Sequence, residues 1–258
     1  MAKALGLAAA AILLGIVCGG LYSWREGTAY TPAAIAATAA DRSHSPDPPA
    51  PQIPAAPRAE AAPESLDASD ATIRSAATDL VGQQSATSLL TVDGIVRHIV
   101  ATVDTLPRQH FAAGAWPLKP LTGGFIATAD DQKSPLSEDN FARYTPYIAV
   151  LRRLDAQALA KLYLAHRALF QQAYAEVSPA GGDFRSRLLV AIDTVLAAPE
   201  ANGIIMVARP DAMYQFADPA LENLPAGQKL LLRTGPANTG VIKGKLRELR
   251  AALSSAGP

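Results

Sequence analysis

The chain opens with a long run of hydrophobic positions that no charged residue interrupts. Ala4 to Tyr22 is built mainly from Ala, Leu, Ile, Val and Gly. A helix of about 20 residues crosses the roughly 30 Å hydrocarbon core of a bilayer, so this segment is predicted to be a transmembrane helix. Lys3 precedes it, and Trp24 follows it as an interface residue. The charge bias favours a cytoplasmic N-terminus, with residues 1–25 as cytoplasmic tip and anchor.

Two alternatives to an uncleaved anchor stay open. A cleaved signal peptide usually has an apolar region of about 7–15 residues, shorter than this one, but a cut near Gly19 or Gly20 is compatible with the sequence. Lipid attachment would use Cys18, although Val17 stands where that signal favours a small residue. Cys18 is the only cysteine, so the rest of the chain offers no internal disulfide, thiol nucleophile or cysteine-ligated metal site.

The hydrophobic pattern stops after the anchor. Glu26 to Glu64 contains eight prolines, set among Ala, Ser and a few charged residues, and large apolar side chains are almost absent. Such a composition cannot bury enough apolar surface to offset the entropy of ordering. Residues 26–64 are therefore predicted to be a disordered Pro/Ala-rich linker that holds the following domain away from the bilayer.

Residues 65–258 carry mostly helical periodicity. Apolar residues recur at i, i+3 and i+4 from Val92 to Leu106, with Thr91 as a candidate N-cap and Pro107 at the end. Similar stripes predict the helices Pro146–Leu154, Asp155–Val177, one following Asp183, Gln228–Arg233, and a last one with Val241 or Ile242, Leu246, Leu249 and Leu253 inward.

Two stretches instead predict short strands. They are Phe125–Thr128 and Gly203–Ala208, and pairing with each other is one arrangement open to them. The predicted fold class is mainly α, a single helical domain with one or two short strands, preceded by a transmembrane helix and a disordered linker.

Charge is balanced overall but uneven along the chain. There are 23 basic and 23 acidic side chains. Residues 60–93 are rich in Asp and Glu, whereas residues 226–258 are rich in Lys and Arg. Either the last helix meets an anionic surface or acidic partner, or the acidic N-terminal segment packs on it. The candidate partner-binding residues on that helix are Lys243, Lys245, Arg247 and Arg250.

Recognisable catalytic motifs are absent from the sequence. It has no phosphate-binding glycine loop, no Gly-x-Ser-x-Gly turn and no His-Glu-x-x-His helix. If the protein is an enzyme, its candidate catalytic residues are His98, Asp104 and Asp193. For His98 and Asp104, the competing interpretation is that they belong to a structural or solvated helix face. His166 lies on an apolar stripe with no second ligand at metal spacing, which favours a hydrogen-bonded core histidine. Neither a metal nor a cofactor is expected.

Four Arg and Tyr residues fall at the edges of predicted elements. Arg143, Tyr144, Arg209 and Tyr214 are candidates for lining a groove that binds a peptide or glycan. The alternative is that they anchor loops to the core through hydrogen bonds from arginine to carbonyl oxygens.

Several sequence blocks resemble a known family. They are Ile99–Arg108, Ala142–Tyr147, Leu169–Tyr174, Tyr214–Pro219 and Ala226–Asn238, which together resemble the bacterial domain-of-unknown-function family 3014. The resemblance implies an N-terminal membrane segment, a Pro/Ala-rich tether and a C-terminal domain, and it implies no reaction. This chain has Phe184-Arg185-Ser186-Arg187 where the family often has Phe-Asn-Asp-Arg, and it lacks residues that often precede the Arg209–Pro210 position.

The predicted function follows from this architecture. We expect a single-pass protein of the bacterial inner membrane whose C-terminal domain is periplasmic or extracytoplasmic and acts as an interaction or assembly module. Its expected partners are the bilayer and another envelope protein or an anionic envelope surface, and nucleic acid is not expected. The alternatives are an envelope hydrolase acting on cell-wall glycan or peptide, and a solute-binding domain. Enzymatic activity is the less favoured reading.

Overall fold

The computed structural model describes residues 65–90, 93–111, 117–119, 124–127, 133–178, 181–200, 203–210 and 214–255. The predicted anchor and the predicted linker, residues 1–25 and 26–64, lie outside them. Within the described residues, no helix combines the length and apolar character needed to cross a membrane.

The described part of the chain is mainly helical, as the sequence predicts, with three short strands rather than one or two. The helices are α1 (Ser69–Val81), α2 (Gln83–Leu89), α3 (Ile95–Thr105), α4 (Glu138–Ala142), α5 (Thr145–Arg153), α6 (Ala156–Ala165), α7 (Arg167–Val177), α8 (Phe184–Leu196), α9 (Pro219–Glu222), α10 (Ala226–Arg233) and α11 (Pro236–Ser255). The strands are β1 (Ser134–Pro135), β2 (Met206–Ala208) and β3 (Gln215–Phe216).

Helix α3 lies in the middle of the main core. Its apolar stripe is buried, as the periodicity predicts, and it packs against α1, α7 and α8. The N-terminus of α3 is capped from outside the helix. The Asp70 carboxylate of α1 accepts hydrogen bonds from the backbone N–H groups of Gly94 at 2.6 Å and Ile95 at 2.9 Å. Because a carboxylate satisfies the free N–H groups of a helix start, this contact joins α1 to α3.

The stripe predicted as one helix from Asp155 to Val177 forms two helices. The break is at His166, whose backbone leaves the helical region (φ −119°, ψ 18°) between α6 and α7. Side chains on both sides of the break, such as Leu162 and Leu169, remain buried in the same core. The periodicity therefore identified the buried face correctly but did not show the change of direction.

Helix α10 is buried on every side. All of its residues are buried, including the polar Gln228, Lys229 and Arg233. It packs against α8 and α11, and the fit is close enough that a Cβ on Gly227 would lie 2.8 Å from the Val195 side chain. Helix α11 follows after the helix stop at Gly235 and packs along α5, α6 and α8.

The three strands form a small antiparallel sheet in the order β1–β2–β3. Val207 pairs with Ser134 on one side and with Phe216 on the other. A second, smaller core lies under this sheet and consists of Leu136, Val207, Tyr214, Phe216 and Leu232, with Phe141 and Ile205 packed against it.

The sequence prediction for the strands needs two corrections. The segment Phe125–Ala127 is not a strand, since the Asn140 side chain holds it by bonding both the N–H and the carbonyl of Ile126, at 3.0 and 2.9 Å. The predicted strand Gly203–Ala208 is shorter, Met206–Ala208, and it pairs with β1 and β3 rather than with Phe125–Thr128. In Phe125–Ala127, the side-chain amide of Asn140 thus bonds the backbone groups of Ile126 that a partner strand would otherwise have bonded.

Candidate functional site

The three residues named as possible catalytic groups lie in separate settings. Asp104 is buried, and its carboxylate accepts hydrogen bonds from Arg187 at 3.0 Å and from Arg108. The carboxylate of Asp193 is on the surface and bonds Arg250 at 2.5 and 3.0 Å. His98 is half-buried on α3, six positions before Asp104, which is about 9 Å along the helix axis. Both carboxylates are thus occupied by arginine.

One of the Arg and Tyr candidates, Tyr214, contacts a buried arginine that the sequence analysis did not single out. Arg233 is 3% exposed, donates to the carbonyl of Tyr214 at 3.3 Å and lies over the Phe216 ring at 4.7 Å. Burial lowers the pKa of the Arg233 guanidinium, while the negative charge of Glu222 opposes that shift. The contacts of Arg233 join β3 to α10. The only signal for Arg233 in the sequence was its place in the basic stretch 226–258.

The other members of this group serve as contacts between loops and core. Tyr144 is buried in the main core, and the neighbouring Arg143 is half-buried, so burial lowers the pKa of its guanidinium. Arg209 lies 5.5 Å from the centre of the Tyr214 ring, which also packs on Phe125 at 4.4 Å. These contacts match the anchoring interpretation more closely than a ligand pocket.

Most of the basic residues of α11 form hydrogen bonds or ion pairs with other residues of the chain. Lys243 donates to the carbonyl of Ala198 at 2.6 Å, Lys245 pairs with Glu248 at 2.6 Å, and Arg250 pairs with Asp193. Arg247 is exposed and has no ion-pair or hydrogen-bond partner among the described residues.

Among the described carboxylates of the acidic N-terminal segment, none forms an ion pair with α11. Asp67 pairs with Arg97 at 2.7 Å, and Asp70 caps α3.

A groove of about 790 Å³ lies beside α11. Its first wall is one face of α11 and includes Gly240, Lys243 and Arg247. The second wall is the end of β1 and the start of α4, with Glu138 at its rim. The third wall is formed by Pro199, Glu200 and residues 203–205. Three parts of the fold, distant in sequence, therefore build this groove.

The floor of the groove is apolar and its rim is charged. Leu136, Phe141 and Leu232 belong to or pack on the small core and also line the groove. Ile204 projects at the opening and is 78% exposed, the most exposed large apolar side chain in the described part of the chain. Burial of such a side chain by a partner would remove apolar surface from water and favour association.

Gly240 lies inside helix α11 on the wall of the groove. A glycine in a helix interior costs about 1 kcal/mol relative to alanine. No described atom lies within 4 Å of the place where a Cβ of Gly240 would stand, so packing within the described residues does not demand glycine there. The missing side chain leaves the wall open to close approach of another molecule.

Metal binding has no candidate in this part of the molecule. Among the described residues, no group of three or more His, Cys, Asp or Glu side chains is arranged to hold a metal ion.

Comparison with known proteins gives a family and no function. The model of a family described as "Protein of unknown function (DUF3014)" matches residues 95–250, from the first turn of α3 to the last helix. No curated protein and no solved structure matches the chain.

Proposed function

We propose that the chain, which belongs to the DUF3014 family of proteins of unknown function, is an interaction module that binds a segment of another protein in the groove beside α11. The observation that carries the proposal is the groove itself, with its apolar floor, the exposed Ile204 and the open wall at Gly240. Apolar floors with a few polar groups at the rim are typical of binding sites.

The charge arrangement favours binding over hydrolysis. An envelope hydrolase would need a carboxylate free to exchange a proton beside its substrate. Asp104 and Asp193 instead accept hydrogen bonds from arginines. Glu138 and Glu200 at the groove are free carboxylates, but both are exposed at its rim, and no described side chain positions either of them for proton transfer.

We further propose that the module is tethered to the inner membrane of a bacterial cell envelope. The support is the uncharged segment Ala4–Tyr22 and the Pro/Ala-rich composition of residues 26–64. In this arrangement the linker sets the reach of the groove, and the partner is an envelope protein within that reach. We expect the full chain to sediment with membranes after alkaline washing. A chain that lacks residues 1–25 should be released from them.

The binding proposal is tested by photo-crosslinking in cells. A photoreactive phenylalanine analogue replaces Ile204 in the full chain, and the same analogue replaces Val190 in a matched control. Both positions are exposed and apolar, but only Ile204 lines the groove. We expect one discrete adduct from position 204 and none from position 190. Equal adducts from both positions, or none from either, would contradict the proposal.

A further inference from the structure

The length of the groove limits what can lie in it. Along α11 the groove extends from Pro236 to Arg247, eleven positions apart. At 1.5 Å per helical residue this is about 16 Å. An extended peptide advances about 3.3 Å per residue, so the groove accommodates about five residues.

The two ends of the groove differ in charge. Arg247 marks one end and has no partner among the described residues. Glu138 marks the other, because Phe141, one turn further along α4, touches the start of α11. The amide of Asn238 donates to the Phe141 carbonyl at 3.3 Å, and the place of a Cβ on Gly235 lies 2.4 Å from the Phe141 ring. Glu138 likewise has no partner in the described part of the chain.

The two remaining charged residues that line the groove, Lys243 and Glu200, have opposite signs. Lys243 holds the carbonyl of Ala198, and Glu200 follows Ala198 by two residues. Together they add one positive and one negative charge, so they leave the net charge of the groove unchanged. The groove therefore presents a positive charge to a ligand at the Arg247 end and a negative charge at the Glu138 end.

Given the proposed function, on which this inference rests, we infer that the groove binds an extended peptide segment of about five residues with a basic side chain at one end, an acidic side chain at the other and apolar side chains between them. The acidic side chain faces Arg247 and the basic side chain faces Glu138. The apolar side chains cover Leu136, Phe141 and Leu232, and the peptide backbone passes the open wall at Gly240.

Four pools of fluorescent pentapeptides test this inference by fluorescence anisotropy with the purified full chain. All peptides have blocked ends and three mixed apolar residues in the centre. The end residues are basic then acidic, acidic then basic, both acidic, or both basic. We expect an opposite-charge pool to bind about fivefold more tightly than either like-charge pool, since one exposed ion pair contributes up to about 1 kcal/mol.

Charge reversal supplies the matched variants. Arg247→Glu should move the preference to the pool with two basic ends, and Glu138→Lys should move it to the pool with two acidic ends. Both side chains are exposed and form no ion pair among the described residues, so the melting temperature should stay close to that of the parent.

The outcomes separate this inference from the proposed function. A preference that follows the charge at positions 247 and 138 supports both. Equal binding of all four pools that is lost in Gly240→Leu overturns the inference and leaves groove binding in place. Binding that survives Gly240→Leu unchanged, or no binding of any pool, overturns both.

Discussion

The ammonium group of Lys243 lies 2.6 Å from the carbonyl oxygen of Ala198, just after helix α8 ends at Leu196. Lys243 lines the groove on α11, and Ala198 directly precedes Pro199, which lines it on another wall, so this hydrogen bond holds α11 beside the residue before that wall. A cation is stabilised at a helix C-terminus because the free carbonyl groups there carry partial negative charge.

Removing this contact should weaken the fold. Lys243→Met keeps the aliphatic stem and removes the donor, and we expect the free energy of unfolding to fall by about 1.5–3 kcal/mol, the range for a hydrogen bond to a charged group. Lys245→Met is the control, because Lys245 only pairs with the more exposed Glu248 and should change stability by less than about 0.5 kcal/mol. Chemical denaturation of both variants measures the difference, and equal losses would contradict the role of Lys243.

Two aspartates that each bind arginine should differ in their effect on stability. The Asp104 side chain is 8% exposed and meets two arginines, whereas the Asp193 side chain is 49% exposed and meets one. Asp104→Asn should lower the free energy of unfolding by about 1.5–3 kcal/mol, because it removes the charge from a buried hydrogen-bond acceptor and leaves the Arg187 guanidinium, 24% exposed, without its counter-charge. Asp193→Asn should cost less than about 1 kcal/mol. Thermal melting of the pair checks this, and similar melting temperatures would show that the buried cluster contributes little.

Two glycines near the start of α11 should respond oppositely to alanine. Gly235 has a φ of 87°, and a Cβ there would lie 2.4 Å from the Phe141 ring. Gly235→Ala should therefore destabilise the protein by about 2–3 kcal/mol. Gly240→Ala places its Cβ in open space and should stabilise the helix by about 0.5–1 kcal/mol. Shifts of the same sign in denaturant midpoint would contradict this description of the turn.

Alkaline pH should destabilise the protein partly through Tyr163. Burial, and secondly the negative charge of Asp183, raise the pKa of Tyr163 from 10.0 to about 12. The unfolded chain releases this proton first, so stability is unaffected below pH 10 and falls as pH rises from 10 to 12, by roughly 1.4 kcal/mol per pH unit. Tyr163→Phe should reduce that slope in denaturation measured across this range. An unchanged slope would mean that Tyr163 titrates normally.

The sequence predicted the parts of the fold that depend on local pattern. The stripe from Val96 to Val103 is buried because a 3.6-residue period alone decides which face of α3 turns inward. Asp155 and Asp183 cap α6 and α8 by accepting hydrogen bonds from Gln157 and Ser186, each at 2.8 Å, since capping involves neighbours in the chain.

Features that depend on contacts between distant residues were not predictable in this way. The break at His166 and the small sheet depend on what the rest of the core allows, and no local signal marks them. In the sequence, Arg233 was only one of several basic residues near the C-terminus, although in the structure it is buried and joins α10 to β3. For the groove, one signal was present: Gly240 and Gly244 stand inside an otherwise helical pattern, where glycine is unfavourable.

The central claim is that another protein segment lies in the groove, and the wall at Gly240 allows a direct measurement. The yield of the photo-adduct from position 204 is compared in cells between Gly240→Leu and Gly244→Leu. Both positions are in α11 with no described atom within 4 Å of a Cβ, but only Gly240 lines the groove, and melting temperatures establish that both variants fold. We predict that Gly240→Leu abolishes the adduct while Gly244→Leu retains it. An undiminished adduct in folded Gly240→Leu would contradict binding in the groove.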